Sequence, residues 1–323
     1  MHIVVFGAGG VGGYFGGRLA QSGQNVTFIA RGAQLAALLQ DGLTVESIKG
    51  DFSVHPVMAI DDTSRVDNVD AVLVCVKTWQ VSRAAKAIVP MLGPDTFVIP
   101  LENGVEAPSQ LAEILGREHV LGGLCRIASH IASPGHIQHT GLEPYIAFGE
   151  LDKRLSARGQ NLRQVFEHAG VWVEIPLDIN VALWQKYLFI SSVSGIGAVT
   201  RVSIGEFRSQ PETRQMLERA LQDCYSVALA QGIQLPADSV ANTLAFIDTL
   251  PRETIASMQR DVMDGHPSEL DAQIGAIVKM GQMYNIPTPV HAFIYHSLLP
   301  QERLARLQLD QANGSETRTS IQP

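Results

Sequence analysis

Residues 2–23 read HIVVFGAGGVGGYFGGRLAQSG, and the order of residue types in this stretch decides the fold. A short β-branched run is broken by glycines, and a segment with helical periodicity and many small residues follows. That is a strand, a turn and a helix that can pack closely on the strand. Gly7, Gly9 and Gly12 satisfy the spacing GxGxxG. The first glycine permits the tight turn, the second lets backbone approach a pyrophosphate, and the third lets helix and strand touch. The pyrophosphate sits at the helix N-terminus, where unpaired N–H groups and the positive end of the helix dipole face it. Gly10 and Val11 lie inside the same turn and complete the expected cofactor-binding set.

A second strand, NVTFIA, follows the helix and ends at Arg31, nineteen positions after Gly12. That is near the ~20-residue offset at which a dinucleotide site reads the ribose. An acid there would accept a hydrogen bond from the 2′-hydroxyl of NAD. An arginine instead grips a 2′-phosphate bidentately, which favours NADP(H) over NAD(H). The plainer alternative is a solvated loop arginine. Further on, DAVLVCVKTWQ (70–80) and TFVIPLENGVE (96–106) are continuous apolar runs ending in polar residues, as expected of parallel strands buried on both faces. Ligands collect outside the carboxyl ends of such strands. Lys77 and Asn103 fall there, placed to face a cofactor; the alternatives are a loop lysine and an Asn-Gly turn.

The bulk composition narrows the function class. With 24 Lys and Arg against 32 Asp and Glu, the formal charge is −8, and no long basic run offers the attraction that nucleic acids or anionic membranes need. Neither is an expected partner. An anionic ligand then depends on individual cations. The 46% hydrophobic share over 323 residues supports sizeable cores and more than one domain. No apolar run reaches the ~18 residues of a membrane span. The N-terminus has no basic region before its short apolar run and does not read as a signal peptide. Cys75, Cys125 and Cys224 are few, odd in number and far apart, which fits a reducing cytoplasm; Cys75 reads as a small buried strand residue. His130, His136 and His139 cluster around a Ser-Pro-Gly turn, but a hairpin points His136 and His139 to opposite faces and assembles no metal ligand set. No metal is expected.

After VWVEIPLDI (171–179) the strand pattern gives way to long stretches with apolar residues at three- and four-residue intervals. The expected division is a dinucleotide-binding domain over 1–176, a mostly α-helical domain over 177–310, and a flexible tail over 311–323, which is polar and aperiodic. The fold class is α/β, an N-terminal Rossmann-type domain followed by a helical C-terminal domain. In the first helical stretch, WQKYLFISSVSG (184–195) sets Lys186 among Trp184, Tyr187, Leu188 and Phe189. Such a lysine either snorkels to water or is held for use, with a pKa lowered by desolvation toward proton transfer. Spacing alone favours snorkelling.

Taken in order, GAGGVGG, Arg31, VKTWQ, ENG, SPGHIQH, WQKY, SMQRD, SELD and NIPTP resemble the ketopantoate reductases (2-dehydropantoate 2-reductases), NADPH-dependent enzymes of pantothenate synthesis, over roughly residues 1–300. The glycine-turn and helical-domain plan of the 3-hydroxyacid and 6-phosphogluconate dehydrogenases is matched less well. The resemblance implies that Gly7, Gly9, Gly12 and Arg31 hold NADPH, that Lys77 reaches the cofactor, and that Asn103 fixes the nicotinamide end and the substrate. It makes Lys186 the general acid that protonates the carbonyl oxygen as hydride arrives. Ser257 binds the substrate carboxylate, and Glu269 hydrogen-bonds a substrate hydroxyl or the lysine. Without the family, Ser257 and Glu269 read as solvated helix positions.

One departure bears on the substrate. The family's catalytic helix carries asparagines four and eight residues after its lysine, on the same face; here Ile190 and Ser194 stand there. Serine still donates and accepts a hydrogen bond and isoleucine does neither. The expected partner is a small branched 2-oxo acid, ketopantoate first, with two alternatives: a paralogue reducing a more apolar 2-oxo acid, and a non-catalytic NADPH-binding sensor. The sequence fixes no oligomeric state and leaves a homodimer open.

Overall fold

The structure is a computed structural model and describes residues 1–319. Contacts divide the chain into two compact units, Met1–Leu183 and Trp184–Pro323.

The first unit opens with β1 (His2–Phe6), α1 (Gly10–Gln21), β2 (Asn25–Ile29), α2 (Gly32–Gln40), β3 (Leu43–Ser47), β4 (Phe52–Val54) and β5 (Met58–Ile60). It continues with β6 (Ala71–Val74), α3 (Val81–Ile88), β7 (Phe97–Pro100), α4 (Ala107–Leu115), β8 (Leu121–Ser133), β9 (His136–Glu150), α5 (Ala157–His168) and β10 (Trp172–Glu174). Five strands form a parallel sheet in the order β5-β2-β1-β6-β7. The chain leaves β1 toward β2 and later returns to β6 on its other side, so the switch in strand order falls at β1 and β6, where open α/β sheets bind ligands. Ile3, Val4, Val5, Ala71, Val72, Leu73 and Val74 are inaccessible, as continuous apolar strands covered on both faces must be.

A second sheet runs β10-β9-β3-β4 with β8 paired to β9; the hairpin expected at the Ser-Pro-Gly turn is its β8–β9 pair, and the rest of the sheet was not anticipated from the sequence. α1 lies between the two sheets, and its glycines are divided between them. A Cβ at Gly16 would lie 2.5 Å from the Phe28 ring and 2.8 Å from Val5, in the parallel sheet. One at Gly13 would lie 2.7 Å from Ile137, and one at Gly17 2.9 Å from Leu43, both in the second sheet. Real Cβ atoms do not come so close, so any larger residue would have to push a sheet away.

The second unit comprises most of α6 (Ile179–Thr200), then α7 (Ile204–Ser209), α8 (Pro211–Ala230), α9 (Ser239–Thr249), α10 (Ser257–Met263), a π-helical turn (Asp271–Gly275), α11 (Ala276–Tyr284) and α12 (Pro289–Thr319). The division falls at Leu183, later than the expected residue 176. Ile179 and Leu183, in the first turns of α6, pack on Leu124, Tyr145 and Ala147 of the second sheet and so belong to the first unit. Residues 311–319 of the expected tail continue α12, and residues 320–323 lie outside the described residues. Beyond Trp184, α6 is the buried centre of its unit: Ser191 to Ala198 are all buried. Small residues allow this. A Cβ at Gly195 would lie 3.0 Å from Ile274 and 3.2 Å from Ile294.

Candidate active site

The cofactor residues expected from the sequence gather along the carboxyl edge of the parallel sheet. Gly7 ends β1 with φ +104°, in the left-handed region that glycine enters without strain. A Cβ there would lie 2.7 Å from the carbonyl oxygen of Cys75. A Cβ at Gly12 would overlap the carbonyl oxygen of Gly7. Gly9 is the opposite case, since an added Cβ would meet nothing within 4 Å. Gly10 lies against the backbone of β8, 2.5 Å from the Ser129 carbonyl oxygen by the same measure. Gly9 caps α1 without any side-chain bond, so the first N–H groups of the helix, around Gly10, Val11 and Gly12, have no side-chain acceptor at the cap. The turn is crowded by protein at Gly7, Gly10 and Gly12 and open at Gly9. A pyrophosphate cradle has that character.

Arg31 lies two residues past the end of β2, is exposed, and caps α2. Lys77 stands in the loop after β6, with its ammonium 5.9 Å from the centre of the Trp79 ring, and Asn103 stands half-buried in the loop after β7. The buried acid Glu102 links these two loops, its Oε1 accepting a hydrogen bond from the Val76 N–H at 3.1 Å. Sequence reasoning passed over Glu102. The available signal was an acid closing an otherwise apolar strand run. The residues present fit a dinucleotide: an open glycine cradle at a helix start and an exposed guanidinium at the ribose-reading position.

The residues expected to face the substrate lie in the second unit. Lys186 is half-buried on α6 between Trp184 and Tyr187, both buried. The Tyr187 hydroxyl donates to the Ala272 carbonyl at 2.9 Å, which ties this part of α6 to the π-helical turn that follows Glu269. Glu269 is 6% exposed, and Gln273 Nε2 donates to its Oε2 at 3.1 Å. Ser194, two turns beyond Lys186, is fully buried and its hydroxyl has no hydrogen-bond partner. Such a group costs about 1–3 kcal/mol unless something pairs with it, so Ser194 is a candidate donor to a ligand. Ile190 is half-buried between them. Ser257 opens α10 at an exposed position. Lys186 and Ser194 thus share α6, and Glu269 lies just before the turn bonded to it, while the glycine turn, Arg31, Lys77 and Asn103 belong to the other unit.

Two of the three clustered histidines have partners elsewhere. His139 is buried, with Nδ1 2.8 Å from Ser47 Oγ and Nε2 2.7 Å from the Leu142 carbonyl; His136 Nε2 lies 3.2 Å from Glu46; His130 is exposed. Among the described residues no three His, Cys, Asp or Glu side chains are grouped to hold a metal ion. Burial pushes the Cys75 and Cys224 thiols up, which keeps them protonated.

The fold and this edge define a dinucleotide-binding oxidoreductase with a Rossmann-like first domain and a helical second domain. The chain belongs to the ketopantoate reductase family: the family model ketopantoate reductase PanE/ApbA matches residues 3–153 and its C-terminal counterpart residues 178–302. It is an enzyme acting on a CH–OH/C=O pair. A 2-dehydropantoate 2-reductase from Nostoc sp. is 29% identical over 299 residues, 91% of this chain and 93% of that protein. The crystal structure of a PanE/ApbA family ketopantoate reductase from Ralstonia eutropha superposes with a TM-score of 0.87 at 31% identity, covering 95% of this chain and all of that one. A D-mandelate dehydrogenase solved with NADH and anilino(oxo)acetate has the same fold, with a TM-score of 0.86 at 20% identity over 95% of this chain and 99% of that one.

Proposed function

We propose that the chain is an NADPH-dependent reductase of a small branched 2-oxo acid, ketopantoate first. The observation that carries the reading is the pairing of the open Gly9 cradle with an exposed arginine at the end of β2. When bound, the reduced nicotinamide supplies a hydride to C2 of the oxo acid. Lys186 delivers the proton to the carbonyl oxygen as charge builds there, and its ammonium stabilises the nascent alkoxide. Its half-buried place between buried aromatics supports that role, because the interaction is stronger where water is scarce. Asn103 and Lys77 bind at the nicotinamide end, Ser194 and Glu269 bind substrate hydroxyl, and Ser257 binds the carboxylate.

Ile190 favours a second substrate within the same chemistry. It sits one turn beyond Lys186, half-buried, where it offers an apolar surface and no hydrogen bond. A 2-oxo acid without the ketopantoate hydroxyl suits that surface better. No described helix is long and apolar enough to cross a membrane. Three cysteines, far apart in sequence and all free thiols, suit a reducing compartment such as the cytoplasm.

The test is consumption of NADPH with ketopantoate, beside a panel of branched and aromatic 2-oxo acids and with NADH as control. Turnover of ketopantoate with NADPH supports the first reading. Turnover restricted to apolar 2-oxo acids moves the substrate to the second, and turnover with NADH alone would sink the cofactor assignment.

A further inference from the structure

Gln34, in the first turn of α2, bonds to two distant segments at once. Its Nε2 donates to the carbonyl of Ala8 at 2.8 Å, and its Oε1 accepts from the Gly135 N–H at 3.0 Å. Ala8 stands between Gly7 and Gly9 in the glycine turn, and Gly135 stands at the tip between β8 and β9. A primary amide carries both donor and acceptor and can satisfy the two groups together. Gln34 is half-buried, so both bonds are partly shielded from water.

The bond to Ala8 fixes more than a carbonyl. The Ala8–Gly9 peptide is planar, and in a trans peptide the C=O and N–H point in opposite directions. Holding the Ala8 oxygen toward Gln34 therefore aims the Gly9 N–H away from α2. Turning this peptide changes ψ of Ala8 and φ of Gly9, and glycine at the second of these positions offers little steric resistance to the change. A rotated peptide would present a carbonyl oxygen where an anion needs an N–H.

We propose that Gln34 is a positioning residue for the dinucleotide: it sets the orientation of the Ala8–Gly9 peptide and so the donor that the turn offers to an anionic phosphate. This rests on reading the turn as the cofactor site. The ligand chemistry is a nucleotide pyrophosphate.

The experiment is NADPH titration of the intact protein, followed by nucleotide fluorescence, for the unsubstituted chain, Gln34→Met and Gln34→Glu, with thermal midpoints and rates at saturating cofactor. Met keeps the volume and loses both bonds. Glu keeps the acceptor for Gly135 and sets an oxygen against the Ala8 carbonyl. Gln34→Met should weaken NADPH binding about tenfold, the scale of one lost hydrogen bond, with kcat at saturation changed less than about twofold, because a group that acts only through the turn alters cofactor binding and not the chemical step. Gln34→Glu should hold its thermal midpoint and still bind weakly at high salt, where simple charge repulsion is screened. Unchanged affinity in Gln34→Met, or affinity of Gln34→Glu restored by salt, would overturn the proposal. Failure of the unsubstituted chain to bind any nicotinamide nucleotide would overturn the cofactor reading and this inference with it, a result recognisable before any variant is made.

Discussion

Glu302 on α12 holds Ser268 from three directions. Its two carboxylate oxygens lie 3.1 and 3.0 Å from the Ser268 N–H, and the Ser268 hydroxyl donates to Oε2 at 2.6 Å. Arg306 closes the clamp, 2.7 Å from Glu302 and donating to the Ser268 carbonyl at 3.1 Å. Ser268 is fully buried and directly precedes Glu269. Replacing Glu302 by alanine strands the Ser268 N–H and hydroxyl without acceptors, so Glu302→Ala should lose about 2–4 kcal/mol of stability. Chemical denaturation checks this; an unshifted midpoint would show that the clamp is dispensable.

Lys186→Ala should lower kcat by about 10²–10⁴-fold, the usual scale of a general acid. NADPH affinity should be preserved, because the glycine turn and Arg31 belong to the other compact unit. Parallel turnover and nucleotide-binding measurements separate the two effects. Retained turnover would remove Lys186 from the chemistry.

Arg31→Ala should cost NADPH more than NADH. A guanidinium bonded to a phosphate contributes about 1.5–3 kcal/mol, so kcat/KM with NADPH should fall about 10–100-fold while that with NADH stays within a few-fold. Equal losses with both cofactors would mean that Arg31 does not read the 2′-phosphate.

Two glycine substitutions should fail differently. Gly9→Ala has room for its methyl and a negative φ of −79°; it should fold normally and bind nucleotide poorly. Gly12→Ala drives a methyl into the Gly7 carbonyl and within 2.9 Å of Val5, and should lose about 1–3 kcal/mol of stability. Thermal midpoints paired with NADPH titrations distinguish a blocked cradle from a displaced helix.

Acid should weaken one defined pair. Burial pushes the Glu150 carboxyl up, but hydrogen bonds from Arg158 and Ser156, with the charges of Arg158 and Arg154, outweigh it and hold the group below its ordinary value of 4.5. Arg158 bonds both oxygens at 2.7 Å. The unfolded chain therefore takes up this proton at higher pH than the folded one. The pair's contribution is full at neutral pH and is lost as pH falls from the ordinary carboxylate range through the lowered value. The gap in thermal midpoint between the natural chain and Glu150→Gln should narrow over that range, and parallel curves would refute the assignment.

Four strands of the parallel sheet, β1, β2, β6 and β7, were legible as largely apolar runs ending in glycine or polar residues, as in DAVLVCVKTWQ; β5, only Met58–Ile60 with its first residue exposed, was not. Of the second sheet only the hairpin at the Ser-Pro-Gly turn was legible. β8 begins buried and ends exposed, with two irregularities in its pairing to β9, so no single pattern marks its full length, and the partners β3, β4 and β10 are remote in sequence. The glycine turn, Arg31 and Lys186 stood out by residue type against their surroundings. Gln34, Glu102 and Glu302 did not, because their meaning lies in partners 26 to 101 residues away. The π-helical turn after Glu269 has no sequence signature beyond ordinary helical spacing, and the split at Leu183 depends on which unit the first turns of α6 touch.

The division of glycines along α1 limits how this enzyme can be rebuilt. Gly12 and Gly16 serve one sheet and Gly13 and Gly17 the other, so the helix that carries the turn has no free side along which to shift. A chimera that borrowed only the parallel sheet would leave Gly13 and Gly17 facing water and the turn without its backing. Enlarging Ile137, Leu43 or Phe52, by contrast, would press on the helix from behind. Cofactor affinity should thus be adjustable by selection at positions in the second sheet that no glycine fingerprint would point to.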